Sequence, residues 1–385
     1  MSTIKVNNIV PPNVGEGVSI DGLQMPTAGA LSNRNLIING AMQVAQRGTS
    51  VTGQSATTYH TVDRIAHSAT GATGYTFDQE QSTDAPTGFS YSFKNTTATA
   101  LTATADSEIR AMRYKIEGQD LQHLKYGTAD AQTITLSFWV RTSVEGTYVV
   151  RFVNNDDTTL RRFAGQYTIA SNETGVWQYR TITVAGDTNT AIANSNENEF
   201  DIFFITDAGS NRTGGTANQW DNYTSGAISA PGQTAFVGRT VNDYWQITGV
   251  QLEVGSKATP FEHESYGQTL AKCQRYYQKI DYGQGDVRIG IGQAYNDTIA
   301  DFSIPYVTTM RDNPTALEQS GTKEDYGLVS ASGNGGDCTS VPSFRFASKH
   351  SITIRMQDVN HLAAGNAVTA YLDNSNAFLA WSAEL

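Results

Sequence analysis

The chain has 385 residues, a net charge of −11, 39% hydrophobic residues and only 16% charged ones. That acidity excludes a nucleic-acid partner, because phosphate contacts require a basic footprint. No apolar run is long enough to span a bilayer, and the opening MSTIKVNNIVPPN lacks the apolar core of a signal peptide, so neither membrane insertion nor signal-driven export is expected. Thr, Asn, Ser, Gln and 35 Gly take the place of charge, and 18 Tyr and 15 Phe accompany them. Such a composition suits half-buried strands and wet turns, not a metabolic enzyme, and the length allows two or three domains.

Residues 1–34 stand apart. Short alternations (Ile4, Val6; Val18, Ile20) are broken by Pro11, Pro12, Gly15, Gly17 and Gly22, which deny ladder donors and weaken strands. This segment reads as an extended arm that docks onto another subunit or scaffold, the alternative being a loose terminus.

From Asn35 the pattern becomes strand and turn: NLIINGAMQVAQRG, then GYTFDQ, FSYSFKN, IRAMRYKIE, TITLSFWVRT, GTYVVRFVN, WQYRTITVAG, FDIFFIT and DYWQITGVQLEVG. In TITLSFWVRT, Ile134, Leu136, Phe138 and Val140 share one face, with Trp139 and Arg141 on the other. Period two marks a strand half buried against a second layer. So many antiparallel candidates over 35–262 predict a jelly-roll sandwich. The longest interruption, 210–234, is the length of loop that often carries function.

Residues 258–280 read as helix. Pro260 ends the preceding strand, and Ser265 with Gln268 resembles a capping box. Tyr266, Leu270, Cys273, Tyr277 and Ile280 form a narrow, heptad-like seam. A helix over 263–281 is therefore expected, either packing identical helices around a symmetry axis through Tyr266, Leu270, Cys273 and Tyr277 or serving as a plain linker. Beyond it, DVRIGIGQAY, TIADFSIPYVTTM, SFRFAS, SITIRMQD, AVTAYLD and AFLAWSAEL predict a second, smaller β-sandwich over 282–385. Cys273 and Cys338 show no metal spacing and are expected as ordinary reduced thiols.

The phrases NLIINGAMQVAQRGTS, YHTVDRIA, RYKIEGQDL, TLSFWVRTSVEGTYVV, VWQYRTITVAGDT, WQITGVQLEVGSKATPFEHESYGQTLAKCQRYYQKI and FLAWSAEL together resemble phage tail fibre and receptor-binding proteins, most of all those of marine and cyanobacterial phages. The resemblance spans 35–280 strongly and the C-terminal module more loosely. It implies a carbohydrate-binding-module-like jelly roll, a distal C-terminal module, a homotrimer on the virion and attachment to other tail proteins through 1–34. It also implies synthesis in the host cytoplasm and release by lysis. The expected role is recognition of host-surface polysaccharide, with a non-adhesive tail or capsid decoration protein as the alternative.

A glycan depolymerase would need two facing carboxylates. Glu117, Asp120, Asp201 and Glu253 are candidates, but no β-helix repeat, HExxH or GxSxG accompanies them, and no enzyme is expected. Glycan binding needs aromatic platforms beside polar groups. Trp220, Asp221 and Tyr223 in the 210–234 loop are the candidates, the alternative being that Trp220 folds back as a lid. Trp139 and Trp245 read as core or intersheet residues. Jelly rolls of the resembled type often hold a structural calcium, which here would draw on carbonyls near Asn39–Gly40 and on Glu253. Calcium takes six to eight oxygens and one clear carboxylate is in view, so no cofactor is expected.

Overall fold

A computed structural model describes residues 19–20, 23–24, 32–71, 74–101, 107–155, 160–283, 287–331, 333, 335–358 and 361–385. Most of the expected arm, 1–34, lies outside the described residues. Within it β1 (Ser19–Ile20) pairs antiparallel with β2 (Leu23–Gln24). The chain divides into two compact units, the first running to Thr269 and the second spanning Leu270–Glu384.

The first unit is a sandwich of two six-stranded antiparallel sheets. One contains β4 (Ala66–Thr70), β7 (Ile109–Glu117), β9 (Gly146–Asn155), β10 (Leu160–Ile169), β12 (Asn198–Ala208) and β13 (Trp220–Asn222), in the order β13-β10-β9-β12-β7-β4. The other contains β3 (Ser50–Gln54), β5 (Thr76–Ser82), β6 (Ser92–Thr99), β8 (Ile134–Thr142), β11 (Gln178–Val184) and β14 (Tyr244–Val254), in the order β11-β8-β14-β6-β5-β3. Successive strands alternate between the sheets over much of the chain, as in a jelly roll. The inward positions of β8, Ile134, Leu136, Phe138 and Val140, are all buried. They meet Phe152, Phe200, Ile202 and Phe204 of the facing sheet in one continuous core.

The NLIING segment is a plug at the end of this core. Asn39 is buried with φ of +62°. Its side chain donates to the carbonyls of Val44 and Asp63 and accepts from the Val44 amide. The next residue must be glycine, because a Cβ on Gly40 would collide with the Val250 carbonyl, whose own amide donates to Gly40 at 2.9 Å. Gly40→Ala is expected to cost about 2–3 kcal/mol, read as a lowered urea midpoint with an unchanged m-value.

The 210–234 stretch is no free loop. It covers the outer face of the first sheet, where Ala230 joins Val149, Ala164, Phe203 and Ile205 in a third apolar cluster. Gln233 fastens it by accepting from the Val149 amide and donating to the carbonyls of Ile205 and Ala235.

The helix is shorter than the sequence suggests. α1 spans only Tyr266–Gln274, opened by the Ser265–Gln268 capping pair. The expected continuation is corrected: Tyr277 and Ile280 lie on a strand, β15 (Tyr277–Asp281). Gln278 explains the stop, since its side-chain amide donates to the Gln274 carbonyl, an orphan of the last turn, and to the Thr308 carbonyl. Of the seam, Cys273 and Tyr277 are buried, Leu270 is half-buried, and Tyr266 is 56% exposed.

The second unit holds a three-stranded sheet, with β24 (Phe378–Ser382) between β15 and β18 (Glu318–Gln319). It also holds a seven-stranded antiparallel sheet. That sheet is formed by β16 (Val287–Ala294), β17 (Ile299–Pro305), β19 (Tyr326–Ser330), β20 (Gly335–Asp337), β21 (Ser340–Ala347), β22 (Ser351–Gln357) and β23 (Ala367–Leu372), in the order β20-β19-β23-β16-β17-β22-β21. Leu379 and Trp381 of the small sheet share a core with Phe302, Ile352 and Leu372 of the large one. The fold class is therefore all-β, two sandwiches with a short helix. Both cysteines are buried.

Candidate functional site

The residues singled out for glycan binding are held inward. Trp220, on the edge strand β13, packs against Tyr126 and Phe163 at ring-centroid distances of 6.0 and 5.8 Å, and its indole N–H donates to the Ala185 carbonyl at 2.6 Å. It lies as a lid on the core. Asp221 accepts from Arg162 at 3.1 Å and from Gln219 at 2.9 Å. The Tyr223 hydroxyl sits 3.3 Å from Arg151 and 2.8 Å from Ser229. The Arg151 guanidinium is layered between the rings of Tyr223 (5.3 Å) and Phe203 (4.2 Å), with Arg113 over the same Phe203 at 4.9 Å. These contacts clamp the loop to the sheet. Trp220→Ala should therefore lower stability by about 2 kcal/mol, since Trp220 is only half-buried, as a calorimetric melt would register.

The four carboxylates considered for catalysis are dispersed. Asp201 stands on the outer face of the first sheet, gripped by both Arg113 Nε and Nη2 at 2.7 Å and by Asn155 at 2.6 Å. Glu253 stands on the outer face of the opposite sheet, so the sandwich separates the two. Glu117 is buried beside Gln119, and Asp120 is exposed on a 3-10 turn.

Glu253 is also where a calcium would draw its carboxylate. One of its oxygens accepts from Gln251 Nε2 and the Thr259 amide, both at 2.8 Å, and the other from Thr259 Oγ1 at 2.7 Å. Two of these partners are N–H donors, which a cation cannot use, and a single carboxylate with one hydroxyl falls short of the six to eight oxygens calcium takes, so the residues present do not fit the ion. Among the described residues no three His, Cys, Asp or Glu side chains group as metal ligands. Beside it, Glu262 accepts three successive backbone amides, from Asn33, Arg34 and Asn35, at 2.7, 2.6 and 3.0 Å. Burial works to raise this carboxyl, but the amides together with Arg34 outweigh it and hold it below the usual range. The network staples the start of the sandwich to its last strand.

The remaining candidate is on the outer face of the second sheet, at its β11 edge. Trp139 is a correction to the core expectation: Trp245 is buried, but Trp139 points outward and is only half-buried. Its ring lies 5.4 Å from that of Tyr179, its partner across β8 and β11, which is 42% exposed. Trp177 stands just before β11 and donates its indole N–H to Asp84 at 3.2 Å. Gly249, with φ of +62°, lets Phe89 and Trp139 close over the backbone, where any side chain would clash with both. Thr181 and Thr183 extend the exposed face along the same strand. Asp84 pairs with Arg141, and Glu80 with Lys94 at 2.9 Å. The two cations also flank the Tyr244 ring, at 6.0 and 5.6 Å. Rings for stacking, hydroxyls for hydrogen bonds and neutralised charge thus adjoin one another. Period two placed Trp139 on the outer face, but the cross-strand partner Tyr179 was not visible in sequence.

No family model matches the sequence, and no curated protein matches it. Solved structures similar to it include the enzymatically active domain of a bacteriophage CBA120 tailspike protein, at 12% identity and a TM-score of 0.29, covering 57% of this chain and 21% of that one. The family 11 carbohydrate-binding module of a Clostridium thermocellum cellulosomal cellulase matches at 7% identity and a TM-score of 0.26, covering 56% and 99%. A tandem carbohydrate-binding-module domain from Paenibacillus barcinonensis matches at 9% identity and a TM-score of 0.24, covering 82% and 91%. The chain thus spans about a fifth of the tailspike chain. All these scores lie below 0.5, and the fold assignment rests on the strand order itself.

Proposed function

We propose that this chain is a non-enzymatic phage tail protein that recognises host-surface glycan, a tail fibre or receptor-binding protein. The observation that carries the reading is the solvent-facing group of Tyr179, Trp139 and Trp177 on the second sheet of a jelly-roll sandwich. Sugar rings present apolar C–H faces to such aromatics and hydroxyls to the polar groups beside them. The phrases that resemble phage tail proteins, most of all those of marine and cyanobacterial phages, supply the biological setting. Homotrimer assembly and anchoring through 1–34 belong to the same proposal. Light scattering of the full chain reads the first.

The test is sedimentation of the purified full chain with a panel of bacterial cells, before and after periodate oxidation of their surface glycans. Saturable binding to at least one strain, abolished by periodate, is expected. Binding that survives periodate points to a protein receptor, and binding to no strain favours a decoration protein.

A further inference from the structure

The charge arrangement around the aromatic group says more than that a glycan binds. Resting on the glycan reading above, we infer that the ligand is an uncharged glycan, held on Tyr179 with Trp139 and Trp177 beside it. An acidic polysaccharide is normally gripped by a guanidinium or ammonium free to pair with its carboxylates or sulfates. Here Arg141 is paired to Asp84 and Lys94 to Glu80, so two cations and two anions cancel within the patch. Both cations are further engaged with the Tyr244 ring. The whole chain adds a charge of −11, which repels a polyanion before contact. What the patch offers is ring faces and the hydroxyls of Thr181 and Thr183, the last two on an exposed edge strand. That set matches a glycan with apolar C–H faces and neutral hydroxyls.

Affinity electrophoresis of the full chain tests this with the uncharged polysaccharides dextran, mannan, galactomannan and xyloglucan and the acidic alginate and polygalacturonate. At least one uncharged polymer should retard the protein, and neither acidic one should. Tyr179→Ala should weaken that retardation roughly fivefold to tenfold, while Tyr179→Phe, which keeps the ring, stays close to the parent. Circular dichroism of each variant guards against misfolding, and quenching of tryptophan emission by the polymer gives a second readout. Uncharged binding indifferent to both Tyr179→Ala and Trp139→Ala overturns the site and leaves the glycan reading standing. Retardation by the acidic polymers alone overturns the charge class, again without touching that reading. Retardation by none overturns the inference, and periodate-insensitive cell binding or none in the sedimentation test is what overturns the reading beneath it.

Discussion

Asp207→Ala is expected to destabilise the first sandwich by about 3 kcal/mol, because it removes one of the two buried carboxylates paired with the Arg110 guanidinium and leaves Glu108 alone to balance it. Arg110 and Asp207 are both buried, and Arg110 Nη1 donates to Asp207 Oδ2 at 3.1 Å. Arg110 Nη2 donates to Glu108 at 3.3 Å, and Arg239 approaches the other Asp207 oxygen at 3.5 Å. The guanidinium carbon of Arg110 also lies 4.0 Å from the centre of the Tyr75 ring. Burial raises the Asp207 carboxyl against the pull of Arg110 and Arg239, which marks the desolvation cost of burying the pair. The site is close-fitted: a Cβ on Gly238 would strike the Arg110 guanidinium. Urea unfolding at pH 7, followed by tryptophan fluorescence, measures the loss, and four of the five tryptophans lie in this unit. Asp207→Asn should cost less than alanine, since it keeps the shape and one acceptor. A loss below about 1 kcal/mol for alanine would show that water reaches Arg110 and that the pair contributes little.

This network was invisible in the sequence, and its invisibility shows where sequence reading stops. Alternation exposed the strands because burial on one face imposes period two locally, as on β8. It placed Trp139 on the outer face correctly, yet a tryptophan among apolar neighbours still read as core. What was missing was the partner Tyr179, forty residues away and brought alongside by strand pairing. The helix failed for a related reason. Its start was legible, since the Ser265–Gln268 cap is local chemistry. Its end was not, because Tyr277 and Ile280 continue the helical spacing. The strand wins through the distant Phe378–Ser382 segment, which supplies a ladder for Tyr277–Asp281. Likewise the 210–234 stretch looked free because nothing local announces that Tyr223 and Ala230 cover a sheet face.

Acid should destabilise the first sandwich well before the carboxylates protonate, and His67 is the cause. It is buried on β4, with its ring 3.9 Å from that of Phe77. Its Nδ1 lies 3.2 Å from the Ala56 carbonyl, which only accepts, so Nδ1 carries the proton. Nε2 is buried without a partner. Burial lowers its pKa from 6.5 to about 3; the Ala56 bond opposes this, while nearby His60 and Arg110 assist it. The sign follows from which state takes the proton. Below pH 6.5 the unfolded chain binds it and the folded chain does not, so His67 supports full stability above that pH. The contribution is lost as pH falls from about 6.5 towards 3, at up to about 1.4 kcal/mol per pH unit. Glu262, held below the usual carboxylate range, adds to the loss only at the acid end of this window, where the raised carboxyl of Asp207 offsets part of it. His67→Phe keeps the ring contact with Phe77 and removes the titration. At pH 7 it should lose about 1 kcal/mol for the Ala56 bond, and below about pH 5.5 it should overtake the parent. Urea midpoints at pH 7, 6, 5 and 4 decide it: parallel pH profiles for the two proteins would assign the acid sensitivity elsewhere.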